Sequence, residues 1–268
     1  AKPRSRDTEK INGLEIPNYR GDLINGFEPK PEARIPNPER LVEGYHKAAL
    51  KINFLRALAD EGFADLHHPQ QWELDFMRNN KYYNEYEVMV NSITKAVRLV
   101  DAVMPNSSLT MNRVDMYTSH EALNLYYDSA QTRKVPRKEG FYNLSAHLVW
   151  VGNRTRDLDG AHIEFLSGIE NPIGIKVGPP IDAEETLQLI ERLNPNNEEG
   201  KIVLITRFGK DRIAEELPPI IRAIQKEGKN VVWSADPMHG NTFSTGNNIK
   251  TRNFDHIMDE IRSAFAIH

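Results

Sequence analysis

The chain has 268 residues and a net charge of −4, from 34 Lys and Arg against 38 Asp and Glu, with no cysteine. That length suits one large α/β domain or two ordinary ones, and the lack of cysteine excludes an internal disulfide framework or a thiolate zinc site. With 39% hydrophobic residues, 27% charged residues and a mean hydropathy of −0.57, the composition is globular, with no membrane span expected, and the acidic balance argues against a nucleic-acid binder with a general basic field.

The opening AKPRSRDTEK lacks the apolar core of a signal peptide, so the expected setting is cytoplasmic. The chain starts at Ala1 without a methionine and stops on the apolar SAFAIH with no helix-stop signal, so it is expected to be a piece of something longer. Residues 12 to 37 hold Pro17, Pro29, Pro31 and Pro36 with Gly13, Gly21 and Gly26, and read as an ordered loop. Asn37 then reads as the cap of a helix with Pro38 in its first turn, in which Leu41, Tyr45, Ala48, Ile52, Leu55 and Ala59 recur at helical spacing until Gly62. A second helix is predicted at about 83 to 104, with Tyr86, Val90, Ile93, Val97, Val100 and Met104 on one face. Both stripes read as core packing.

From about residue 114 short apolar runs alternate with helical patterns. The runs are RVDMYTS from Arg113, HLVWVG from His147, IGIKVG from Ile173, IVLITRFG from Ile202 and VVWSAD from Val231, with starts roughly 26 to 34 residues apart. That is the length of a strand–helix unit in a parallel α/β fold. Between them, Asp182 and Glu185 form a capping-box pattern ahead of Leu187, Ile190 and Leu193. After Asn253, Phe254, Ile257, Met258, Ile261 and Phe265 mark an amphipathic final helix.

Polar residues lie in or just beyond every run: His120 and Glu121; Asn153, Arg154 and Arg156; Lys176; Arg207; Asp236 and His239. Parallel α/β folds gather catalytic groups at the carboxyl ends of their strands. Any one of these charges alone reads as a solvated loop residue, but five successive strand ends are harder to dismiss. Lys176 and Arg207 sit inside or at the edge of apolar strands, where an unpaired cation is costly. Their counter-charge is either a protein carboxylate such as Asp157, Asp159 or Glu164, or a phosphorylated or carboxylated ligand, and the sequence leaves both open. No GxGxxG or GxxxxGK loop is present, which disfavours a nucleotide. His239, in DPMHGNT, reads as a metal ligand, a general base or a hydrogen-bonded loop residue, and no HExxH accompanies it.

Taken together, KPRS at Lys2 to Ser5, YRGDLINGF at Tyr19 to Phe27, SHEAL at Ser119 to Leu123 and VWVGNRTRDLDGAHIEF at Val149 to Phe165 resemble one family, and GIKVGP from Gly174, TRFG from Thr206, DPMHGNT from Asp236 and KTRNFD from Lys250 continue the likeness. The chain is similar over essentially its whole length to the class II, plant-like 3-deoxy-D-arabino-heptulosonate 7-phosphate (DAHP) synthases. The resemblance implies a (β/α)8 TIM barrel. It also implies a metal-dependent, aldol-type condensation of phosphoenolpyruvate with D-erythrose 4-phosphate to DAHP and phosphate, the first step of the shikimate pathway to the aromatic amino acids.

By the same resemblance, phosphoenolpyruvate is held by Arg4, Arg154, Lys176 and Arg207. Asn153 lies beside it, where the family commonly carries Glu, and Trp150 shapes the pocket wall. Lys176, Glu121 and His239 are the implied catalytic residues, with the general acid left open between Glu121 and His239 acting through a bound water. The divalent metal, manganese or cobalt, has Cys, His, Glu and Asp ligands in the family, and only the His is recognisable here, as His239. On that template the five runs are the third to seventh strands, KPRS follows the second, and the first and eighth are expected to be absent. The expectation is a single catalytic-barrel domain over 1–268, incomplete at both ends and inactive in isolation, from a homo-oligomeric enzyme of the cytoplasm, or of the plastid in a plant. The competing expectation is a non-catalytic regulatory or interaction homologue that keeps an anion-binding barrel.

Overall fold

In the computed structural model, residues 7–11, 13–61, 78–103, 115–246 and 249–268 are described. Arg4 with the rest of KPRS, Gly62, Met104 and Arg113 lie outside the described residues. The chain divides into two compact units, Pro38–Met116 and the remainder, Ala1–Asn37 with Tyr117–His268.

The first of these units contains helices α1 (Glu39–Asp60) and α2 (Tyr83–Val103). The cap of α1 is Pro38 rather than Asn37, and it makes no side-chain capping bond. In α2 the predicted stripe is the less exposed face, with Val97 buried and Tyr86, Val90, Ile93 and Val100 half-buried. In α1 the stripe fails: Ala59 is buried, but Tyr45 and Leu55 are exposed. Apolar side chains at Val42, Leu50 and Phe54 fall off the stripe, so spacing alone does not single out one face of this helix.

The second unit opens with an antiparallel hairpin, β1 (Thr8–Ile11) and β2 (Leu14–Pro17), closed through Gly13 at a φ of 79°. The segment from 12 to 37 is thus only partly the loop that its prolines suggest. Leu14, Glu15 and Ile16 alternate, and Ile16 is buried.

The centre of this unit is a five-stranded, wholly parallel sheet of β3 (Ser119–Glu121), β6 (Leu148–Val151), β7 (Ile173–Val177), β8 (Ile202–Thr206) and β9 (Val232–Ala235), in that order. Helix α3 (Leu125–Ala130) and the short antiparallel pair β4 (Thr132–Arg133) and β5 (Tyr142–Asn143) separate β3 from β6. Helices α4 (Ala161–Ser167), α5 (Ala183–Leu193) and α6 (Ile213–Lys226) supply the later crossovers, and a hairpin of β10 (Thr242–Ser244) and β11 (Lys250–Arg252) precedes α7 (Phe254–Ile267). Four of the five predicted runs contain their strands. The first does not: the strand starts at Ser119, where RVDMYTS ends. The N–H of Thr118 is taken by Nδ1 of His147 at 3.0 Å instead of by a ladder carbonyl.

Alternation along the strands makes the two faces of the sheet different. Ile173, Ile175, Val177, Ile202 and Leu204 are fully buried and belong to one core with Ile163 and Leu166 of α4, Leu189 and Ile190 of α5, and Leu217 and Ile220 of α6. The intervening residues Trp150, Lys176 and Ile205 occupy the opposite face and are half-buried. Register aligns Glu121 with Trp150 and Trp150 with Gly174, while Lys176 lies level with Ile205 and Ser234. Glu121, Trp150 and Lys176 therefore share the face turned away from the helices.

Candidate functional site

The polar centre lies at the carboxyl ends of β7, β8 and β9. Lys176 extends its stem along the sheet and places Nζ 2.6 Å from Oδ2 of Asp236 and 5.6 Å from the ring centroid of Trp150. Asp236 follows β9 and is fixed by its own N–H, which donates to the Thr206 carbonyl at 2.7 Å. Its carboxylate also meets Nδ1 of His239 at 2.7 Å. Burial alone would raise the Asp236 carboxyl, but the hydrogen bonds from Lys176 and His239 outweigh that effect and hold it at about 2.

Arg207 completes the group. Its N–H continues the ladder to Val177 O at 2.8 Å, and Nη2 donates to the carbonyl of His239 at 3.2 Å. Its Nε is buried without a hydrogen-bond partner. Lys176 and His239 thus meet at a carboxylate that the sequence reading had not paired with them, and Arg207 joins them through the His239 carbonyl. Two of the three carboxylates suggested from the sequence are engaged elsewhere. Glu164 pairs with Arg192, and Asp157 accepts the N–H of Asp159 at 3.0 Å in the turn before α4. The Lys176 side chain instead reaches across β8 to a residue 60 positions further along the chain.

On the β3 and β6 side, Glu121 lies so close to Gly152 that a Cβ there would overlap its carboxylate, so the glycine makes the room. Asn153 donates from Nδ2 to Pro179 O at 3.3 Å, while its Oδ1 is buried without a partner, and Arg154 is exposed in the turn after β6. Arg156 is a structural cation: it is 6% exposed and pairs with Glu185. His120 is structural as well. Its Nε2 meets both Asp128 and Ser145 at 2.8 Å, and because both partners share one ring nitrogen this is not a proton relay.

Two residues that the sequence reading did not single out hold the ends of β8 and β9 together. Glu260 of α7 is 2% exposed and accepts the backbone N–H groups of Phe208 and Gly209, and Asn241 bonds to it from the loop beyond His239. The one available signal is an acidic residue at position 260 between Ile257 and Ile261, on the flank of an otherwise apolar stripe.

For a metal ion, the chemistry of His239 suits one ligand: Asp236 holds Nδ1 and leaves Nε2 available. Among the described residues no group of three His, Cys, Asp or Glu side chains could hold an ion. Nor, among them, is any helix long and apolar enough to cross a membrane.

A sequence profile described as the class-II DAHP synthetase family matches residues 1–268. A Streptomyces coelicolor protein named phospho-2-dehydro-3-deoxyheptonate aldolase is 44% identical over 268 residues, covering 100% of this chain and 59% of the relative. A Neurospora crassa protein of the same name is 40% identical, over 100% of this chain and 59% of its own length. The chain therefore spans 59% of the length of these curated relatives.

Proposed function

The chain belongs to the class-II DAHP synthetase family, and on that premise we propose that the protein carrying it condenses phosphoenolpyruvate with D-erythrose 4-phosphate, giving DAHP and phosphate at the head of the shikimate pathway. The observation that carries this reading is the meeting of Lys176, Arg207 and the Asp236–His239 pair at the carboxyl ends of three adjacent parallel strands. Five parallel strands in sequential order, with helices against one face and Lys176 on the other, suit a section of a (β/α)8 barrel with its site inside the rim.

In this reading Arg207 and Lys176, with Arg154 and Arg4, hold the phosphate and carboxylate of phosphoenolpyruvate. The unpartnered Nε of Arg207 offers a donor to that anion. Asp236 fixes the Lys176 ammonium against Trp150 and orients the imidazole of His239 from behind. His239 would be one ligand of a divalent ion, manganese or cobalt, which would supply Lewis acidity to polarise the aldehyde. The C2–C3 π pair of phosphoenolpyruvate forms the bond to the aldehyde carbon, whose oxygen takes up a proton. Water then adds at C2, releases a proton, and phosphate departs with C–O cleavage. The cations position the reactants and stabilise charge, and Glu121 handles the proton through a bound water, because Asp236 and the ion take both ring nitrogens of His239.

The test is consumption of phosphoenolpyruvate by the intact protein with and without a chelator. The expected result is consumption that requires erythrose 4-phosphate, releases one phosphate per turnover and stops on chelation. Consumption that ignores erythrose 4-phosphate, or none at all with metal supplied, overturns the reading.

A further inference from the structure

We propose that Glu260 is a positioning residue, whose buried carboxylate ties the TRFG turn after β8 to the DPMHGN loop after β9 and thereby sets where Arg207 and His239 stand relative to each other. The inference rests on the functional reading just given, which makes those two residues substrate and metal contacts.

Glu260 Oε1 accepts the N–H groups of Phe208 at 3.0 Å and Gly209 at 2.9 Å. Its other oxygen accepts Nδ2 of Asn241 at 2.6 Å. Asn241 then turns back to both segments, donating to Pro237 O at 2.8 Å and accepting the N–H of Lys210 at 3.0 Å. These donors lie one and two residues after Arg207 and two after His239, and the bond from Arg207 to the His239 carbonyl crosses the same seam. Backbone contact closes the seam further. A Cβ on Gly240 would collide with the backbone of Gly209, and Gly209 itself has a φ of 86°. Helix packing alone does not call for this arrangement. Glu260 lies one turn from the buried Ala264, where an apolar side chain would seal the helix without the desolvation cost of a carboxyl. Its hydrogen bonds go to the two segments that carry Arg207 and His239.

The experiment compares wild type, E260Q and the exchange variant E260Q/N241D in the intact protein. In E260Q the side-chain amide still offers an oxygen to Phe208 and Gly209 but turns its N–H toward the amide of Asn241. The double variant restores donor to acceptor between these two side chains with the roles exchanged, although the carboxylate at position 241 can no longer donate to Pro237 O. The expected result, well below the melting temperature, is a KM for phosphoenolpyruvate raised roughly tenfold or more in E260Q, with faster exchange of the Phe208 and Gly209 amides and partial recovery of both in the double variant, which regains the contact at position 260 but not the bond to Pro237 O. A purely structural role would lower the melting temperature but leave KM at its wild-type value, and that outcome overturns the proposal. If wild type does not turn over phosphoenolpyruvate, the functional reading is the one that fails. The tie is then judged by exchange, and unchanged protection of the two amides in E260Q overturns it.

Discussion

Lys176 and Asp236 form an ion pair whose side chains are only 15% and 11% exposed, so neither charge is fully dissolved in water. Removing one partner strands the other, which costs more than the pair itself contributes. Lys176→Met keeps much of the stem's packing, and we expect it to lower unfolding stability by about 1–3 kcal/mol. Adding Asp236→Asn should return part of that loss. Chemical denaturation of the two single variants and the double variant measures the coupling, and a stability unchanged in Lys176→Met would mean that Asp236 gains nothing from it. Glu260 makes a second prediction, about pH. Burial raises its carboxyl above the ordinary 4.5, against the lowering effect of the bonds from Gly209, Phe208 and Asn241. Between 4.5 and the raised value the folded chain holds a proton that the unfolded chain has released. The stabilisation is therefore complete below that window and fades as pH rises through it. Unfolding measured across the window should show wild type losing stability relative to E260Q as pH rises, and parallel curves would remove the shift.

At the scale of elements, α5 shows how a local motif is diverted by tertiary contacts. Asp182 caps the helix as its sequence position predicts, accepting the N–H of Glu185 at 2.9 Å. The reciprocal half of the box is not made, because the Glu185 side chain turns to Arg156 in the turn after β6. Asp182→Ala should therefore cost about 1 kcal/mol, the usual loss of a single cap. Glu185→Ala should cost more, roughly 2–3 kcal/mol, since it leaves a buried guanidinium unpaired. Denaturation of the two variants side by side decides the order, and equal losses would place Arg156 among solvated cations. In α7 the apolar spacing of Phe254 and Phe265 marks a face that the fold leaves exposed, while Glu260 and Ala264 turn inward. The helix is seated both by Ala264 and Ile267, which join the core, and by the polar contacts of Glu260 with the ends of β8 and β9.

Among the described residues, burial is concentrated in the parallel sheet and its helices. Ile173, Ile175, Ile202 and Leu204 in the two strands β7 and β8 have no exposure at all, whereas Ala59 is the buried residue of the 22-residue α1. Native-state hydrogen exchange should therefore leave the amides of β7 and β8 protected until global unfolding, with those of α1 exchanging through smaller openings. Equal protection in both would show that α1 is held by more than its own packing. The spacing of the apolar runs was enough to read a parallel α/β fold, because a strand–helix unit has a near-constant length and its strands alternate with period two. The same local rules put Lys176, Arg207 and His239 at strand ends. They did not identify Asp236 as the partner of Lys176, the inward turn of Glu260, or the contact of Gly240 with Gly209. Periodicity is a property of one element, and it fixes which face a residue occupies. Which side chains meet is decided only when elements from distant parts of the chain pack, and there desolvation makes each buried charge take the nearest opposite charge or hydrogen-bond donor in space, whatever its distance in sequence.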